Sequence, residues 1–179
     1  MDHEAVQDDS TMRQFLSFVL DDEVFAFDVA KVREVLDRTE LTRVPRMPAF
    51  MRGVLNLRGR VLPVVDLGVR FGMGEIVESV DTCIIVVDVE LDGERTMLGA
   101  MVDGVDEVFE LPERALEPAP KMGTKLQTEF VRALGRRDDG FIIVLDADRV
   151  FSADEIVAVR KAAVAGQSAS PRAAKTSEE

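Results

Sequence analysis

The chain has 179 residues, 46% of them apolar, enough for one domain with a sizeable core or two small barrels sharing one. No run approaches the roughly 18 apolar residues of a membrane span, and a net charge of −12 argues against nucleic acid as a general partner, because phosphate binding needs a basic footprint. A single cysteine, Cys83, can form no internal disulfide, and the acidic opening MDHEAVQDDSTM has no apolar stretch of a secretory signal, so a reducing cytoplasm is the expected setting.

Residues 1–11 are polar and acidic, and 165–179 are small, polar and Ser/Pro-bearing. Both are expected to be disordered tails, because they carry too little apolar surface to offset the entropy of ordering. The folded body is then 12–164. Gln14–Leu20 and Val24–Phe27, joined by Asp21-Asp22-Glu23, read as a hairpin. Asp28 can cap a short helix in which Val29, Val32 and Leu36 share a face. In GVLNLRGRVLPVVDL, residues 53–67, two apolar runs are broken by Arg58-Gly59-Arg60. That pattern is strand, turn, strand: Gly59 supplies the backbone freedom of a tight reversal and Arg58 surfaces at its tip. Pro63 has no amide hydrogen for a ladder, so its strand is expected to be an edge or to bulge there.

Thr82–Val89 and Thr96–Val102 form a second hairpin pattern around Asp92-Gly93. A third pairs Phe130–Leu134 with Phe141–Leu145 across a loop containing Gly135 and Asp139-Gly140. A C-terminal helix follows, with Ser152 and Glu155 at capping-box spacing, Phe151 and Ile156 as a hydrophobic staple, and Ile156, Val159 and Ala163 as its buried stripe. No short repeat period is visible. Short strands with turn signals about every ten residues predict a mainly β barrel or sandwich rather than a βαβ sheet.

Charge is unevenly placed. Between Lys31 and Arg70 nine basic residues stand against four acids, within a chain that is strongly acidic overall. Such polarity suits oriented docking of charged partners, although arginines also simply solvate strand edges. Catalytic equipment is sparse. The only histidine, His3, lies in the leader, where no pocket can orient it. Cys83 lies in an apolar strand and reads as a buried thiol. No Cys/His cluster has zinc spacing, Asp146 and Asp148 are too few ligands for a hard cation, and no phosphate-binding glycine motif is present. The chain therefore reads as a binding module, needing no cofactor or metal. Met47, Phe50 and Met51 are candidate apolar anchors. A competing reading, a small β-barrel enzyme using Asp103 and Asp106 as paired carboxylates, predicts turnover that an Asp103→Asn change abolishes.

The segments VPRMPAFMRGVLNLRGRVLPVVDLGVRFG (Val44–Gly72), GAMVDGVDEVFELP (Gly99–Pro112), LEPAP (Leu116–Pro120) and FVRALGRRDDGFIIVLDADRVF (Phe130–Phe151) together resemble the CheW-like family of bacterial chemotaxis coupling proteins. The resemblance covers essentially the whole folded body. It implies two five-stranded, SH3-like β-barrels packed around a common core, with short helices. It also implies a non-enzymatic scaffold that couples the cytoplasmic tips of chemoreceptors (methyl-accepting chemotaxis proteins) to the regulatory domain of the histidine kinase CheA. Kinase contact would use ends of one barrel and receptor contact a groove region between barrels. Matched by position, the coupling residues are Val32, Glu34, Gly53, Arg58, Val105 and Gly135, with Arg58 of the NLRG motif pairing with Glu34. The chain would be cytoplasmic and recruited to membrane-bound receptor arrays without inserting into the membrane. At this length the related architecture with a fused receiver domain is not expected. Other receptor–kinase pathways, controlling twitching motility, development or second messengers, also use such domains.

Overall fold

Alternating apolar side chains closed by Asp- or Gly-bearing tips give this chain most of its secondary structure. A computed structural model describes residues 11–118, 128–138 and 140–151. Its strands in chain order are β1 (Met12–Leu20), β2 (Glu23–Asp28), β3 (Val32–Asp37), β4 (Met51–Leu57), β5 (Arg60–Asp66), β6 (Cys83–Leu91), β7 (Glu94–Val102), β8 (Gly104–Pro112), β9 (Leu116–Glu117), β10 (Val131–Arg137) and β11 (Gly140–Leu145). Two four-residue helices, α1 (Leu67–Arg70) and α2 (Ala147–Val150), follow β5 and β11. The expected C-terminal helix on Ser152, Glu155, Ile156, Val159 and Ala163 lies outside the described residues, as do His3 and the 165–179 tail.

The hairpins form where the turn chemistry put them. At the tips, Asp21 and Asp22 have φ of 51° and 68°, Arg58 and Gly59 of 51° and 87°, and Asp92 and Gly93 of 55° and 79°. Positive φ at both central residues matches the right-handed twist of the flanking strands. Gly135 does not belong to the third tip, where the sequence pattern put it. It sits inside β10 opposite Ile142, and the chain reverses at Asp138, φ 52°. An added Cβ at Gly135 would stand 2.7 Å from Leu111 Cδ1 and 3.1 Å from Ile142 Cγ2, so the missing side chain makes room for β8.

The short helix expected after Asp28 is replaced by one turn and a strand. Asp28 accepts a hydrogen bond from the Ala30 amide at 2.9 Å, but this caps only a single 3-10 turn, Val29–Lys31. From Val32 the chain is β3, paired antiparallel with β6 from Val32↔Val87 to Asp37↔Cys83. Val32 and Leu36 lie four residues apart, a spacing that fits one helix face and one strand face equally. The long-range ladder to β6 settles the ambiguity, and burial then alternates with a period of two.

The strands form a six-stranded sheet, β8-β1-β2-β11-β10-β9, and a five-stranded sheet, β3-β6-β7-β5-β4. Each curls into a barrel. Arg137 of β10 reaches Glu107 of β8 across the first, and Arg58 at the β4–β5 turn reaches Glu34 of β3 across the second. Phe15, Ala26, Leu111, Ile142 and Val144 fill the first barrel. Leu57, Leu62 and Val86 fill the second, with Leu36 packed against them. Between the barrels lies the main core, where Phe18, Phe25 and Phe27 meet Val64, Ile84, Ile85, Leu98 and Met101. Phe71 spans the junction, its ring 6.0 Å from Phe25 and 5.4 Å from Phe130.

Pro63 is accommodated by a gap in pairing. Val54 directs both its amide and its carbonyl to Thr42, at 2.8 Å each, so its cross-strand partner Pro63 turns its nitrogen away from β4. On that far side the parallel ladder to β7 begins only at Val64. The strand is interior from Val64 onward and locally an edge at Pro63, so the expectation holds for the residue rather than the strand.

The same sequence of elements occurs twice. β3 carries VREVLD and β8 carries VDEVFE, each with one bulged residue, Arg33 and Asp106. The two hairpins before the helices each bulge at an arginine, Arg52 and Arg132. Asp66 and Asp146 then cap α1 and α2, their amides bonded to the Phe50 and Phe130 carbonyls at 2.6 and 2.9 Å. The repeats exchange a strand: β3 leaves β2 to join the other barrel, and β8 leaves β7 to do the same.

Candidate functional site

The turn in NLRG determines where Arg58 stands. Asn56 Oδ1 accepts a hydrogen bond from the Gly59 amide at 2.7 Å, fixing a two-residue reversal between Leu57 and Arg60. The guanidinium is therefore held at the barrel rim, its side chain 70% exposed, and it pairs with Glu34, which is 30% exposed. Glu34 comes from β3, immediately after the bulged Arg33. A β-bulge re-aims the side chains around it; here Arg33 turns toward Asp88, at 3.8 Å. Val32, Glu34, Leu57, Arg58 and Met97 line one groove of about 560 Å³.

Of the six residues singled out in the sequence, the structure brings Val32, Glu34 and Arg58 together in this groove and places three elsewhere. Gly53 follows the Arg52 bulge of β4 with φ of 149°, and a Cβ there would lie 2.6 Å from the Thr42 carbonyl oxygen. Its role is to let residues 41–42 close onto β4. Val105 lies on β8, half-buried against the main core and paired with Phe18. Gly135 lies on β10 in the other barrel.

Three charged residues matter more than the sequence suggested. Arg52, counted only within a basic run, reaches Asp66 at 3.2 Å, Glu75 at 3.1 Å and Glu78 at 2.7 Å. Asp66 is fully buried, and its carboxylate accepts from the Val69 and Ile76 amides as well. Burial pushes its pKa up, and those amides and Arg52 hold it back. Arg70 lies between Phe50 and Phe130, its guanidinium carbon 5.0 and 5.2 Å from the ring centres, and donates to the Val150 carbonyl at 2.7 Å. It thereby ties α1 to α2 across the barrel junction. The signal for Asp66 was present in the sequence: an aspartate ending an apolar strand, ahead of a short helix.

The remaining candidates have structural occupations. Asp103 accepts from the Asp21 amide at 2.7 Å, and Asp106 from Ser17 Oγ at 3.3 Å. Asp148 is held by Lys31 at 3.0 Å and by the Glu90 amide at 3.0 Å. Burial raises the Cys83 thiol pKa, keeping it protonated and weakly nucleophilic. Phe50 and Met51 are buried in the main core and Met47 packs against it, so none is a free anchor. Among the described residues no cluster of three or more metal-ligating side chains occurs, and no helix is long and apolar enough to cross a membrane.

Two sheets curled into barrels, with a charged rim and carboxylates engaged in capping and clasping, define a β-rich two-barrel module. The profile of the CheW-like domain matches residues 14–155. The chain is 33% identical over 147 residues to the chemotaxis protein CheW of Klebsiella aerogenes, covering 82% of this chain and 86% of that one. It is 32% identical over 143 residues to the probable chemotaxis protein CheW of Rhizobium etli, covering 80% and 90%. The crystal structure of the scaffolding protein TtCheW from Thermoanaerobacter tengcongensis superposes with a TM-score of 0.71 at 35% identity, covering 79% of this chain and 93% of that one. The chain belongs to the CheW-like domain family.

Proposed function

We propose that this chain is a non-enzymatic adaptor of chemotaxis signalling, coupling chemoreceptors to a CheA-type histidine kinase in the cytoplasm at membrane-bound receptor arrays. The observation that carries the reading is the Glu34–Arg58 clasp: in a chain matched to the CheW-like domain over 142 consecutive positions (14–155), the arginine of NLRG stands at a barrel rim, paired with the glutamate of β3. Val32, Glu34 and Arg58 form a coupling face at the rim of the five-stranded barrel. Gly53, Val105 and Gly135 act through backbone geometry and packing, keeping that face and the six-stranded barrel in register.

The mechanism is geometric. An exposed arginine–carboxylate pair contributes on the order of 1 kcal/mol or less to stability, but it presents a fixed fork of donors and acceptors to a partner. Two modest interfaces held in one array reinforce each other through effective concentration. A change in receptor state then reaches the kinase as a change in relative orientation.

The test is capture from the native lysate with wild type and Arg58→Ala in parallel. Wild type is expected to recover both a chemoreceptor and a CheA-type kinase. The variant is expected to lose one of the two, which identifies the partner that docks on this rim, and to melt within about 2 °C of wild type, because the pair is exposed. Recovery of neither partner by wild type overturns the coupling role. A large fall in the variant's melting temperature makes Arg58 a structural residue instead.

A further inference from the structure

Next to the clasp, the wall of the five-stranded barrel is hollowed into a basic trough. A concavity of about 620 Å³ is lined by Arg33, Arg60, Asp88, Arg95 and Met97 over Leu62. It shares Arg33, Arg60 and Met97 with the groove that holds Arg58, so four arginines border one continuous depression. Two carboxylates lie among them. Asp88 is 3.2 Å from Arg95 and 3.8 Å from Arg33, and Glu34 is paired with Arg58. Arg60 has no carboxylate partner among the described residues. The depression thus carries an excess of positive charge in a protein whose net charge is −12.

We propose that this trough is a docking site for a carboxylate-rich segment of a protein partner. Guanidinium forks match carboxylates and phosphates alike, so the placement of charge decides between them. Asp88 and Glu34 interrupt the arginines, and a nucleic-acid backbone with its dense charge would meet both. An extended peptide presents successive side chains on one face about 7 Å apart, so acidic and neutral positions can alternate along the trough and a carboxylate can meet Arg60 without facing Asp88. Half-buried Met97 and Val61, above the buried Leu62, accept the aliphatic stems. The acidity of the rest of the chain repels a long polyanion and leaves a short acidic segment as the favoured guest. The trough adjoins the Glu34–Arg58 groove, yet its affinity for acidic segments depends only on charge and shape, whichever partner that groove holds.

The experiment uses the full chain and a fluorescein-labelled deca-glutamate peptide read by anisotropy, with triphosphate and a ten-nucleotide oligo-dT as competitors. Saturable binding is expected, weakening as salt rises from about 50 to about 300 mM. Arg60→Ala is expected to weaken it about fivefold or more, Arg60→Lys to restore part of the loss, and Asp88→Asn to strengthen it. Arg60 is exposed and unpaired by carboxylate, so its variants keep the wild-type melting temperature, and a melt confirms this. Absence of binding, equal affinity in Arg60→Ala, or tighter binding of triphosphate or oligo-dT than of the peptide each overturns the proposal. Capture of receptor and kinase is unaffected by those outcomes, so the two readings fail separately.

Discussion

At the scale of single residues, carboxylates in this fold carry opposite dependences on pH. Asp28 is half-buried, and desolvation alone would raise its pKa. The Arg13 guanidinium, the Ala30 amide and Arg132 outweigh that and hold it below the usual carboxylate value. A folded-state pKa lowered in this way gives stability that is present above the unfolded value and lost as pH falls through the folded one. Asp66 runs the other way: its pKa is raised by burial, so its contribution declines as pH rises through the range between the two values. Asp28→Asn is expected to cost about 1–3 kcal/mol at pH 7, because Arg13 and Arg132 lose a charged acceptor. That deficit should shrink as pH falls below the usual carboxylate value, where the unfolded chain takes up a proton that folded Asp28 still excludes. Chemical denaturation at pH 7 and at successively lower pH reads both. A deficit that stays constant across the range contradicts the assignment. Arg58 and Glu34 were legible from the NLRG motif and its resemblance. The capping position of Asp66 was legible too, but its burial against Arg52 was not, and neither was Arg70, whose importance lies in rings contributed from distant positions.

At the scale of elements, what could be read depended on whether the deciding chemistry was local. Hairpin tips were legible because Asp-Asp, Arg-Gly and Asp-Gly carry the positive φ that the reversal needs. β3 was misread as a helix because its apolar spacing is ambiguous and its partner β6 lies some fifty residues on. Gly135 was misplaced for the same kind of reason, since only Leu111 on β8 shows why a side chain is excluded there. The bulges also hid from the sequence, although each seats a charged residue that clasps another element. Gly53 gives this scale its prediction. Gly53→Ala forces a Cβ against the Thr42 backbone oxygen at a φ that L residues avoid. A loss of about 1–3 kcal/mol is expected, with hydrogen exchange rising at Thr42 and Val54, whose mutual amide bonds would break. Unchanged protection at those two amides would show that β4 yields instead of residues 41–42.

At the scale of the whole molecule, the exchange of β3 and β8 makes each barrel depend on the other's chain. Neither barrel's strands are contiguous in sequence, and the largest core cluster belongs to both. Residues 11–151 are therefore expected to unfold in one cooperative transition, with the same midpoint by far-UV circular dichroism and by exchange of core amides in either barrel. A chain ending at residue 80 is expected not to fold alone, because the five-stranded sheet would lack β6 and β7. Two separated transitions contradict this. Two barrels about a common core followed from the family resemblance. The internal repeat and the exchanged strands did not show in the sequence, because repetition here survives as topology and bulge position while few residues are shared.

The central claim is coupling, and reconstitution tests it most directly: receptor-containing membranes, a CheA-type kinase and this chain are mixed, sedimented, and assayed for kinase autophosphorylation. The account predicts that the kinase pellets with the membranes and comes under receptor control only when the wild-type chain is present, and that Arg58→Ala leaves it in the supernatant. Kinase that sediments and responds equally well without the chain would contradict the account.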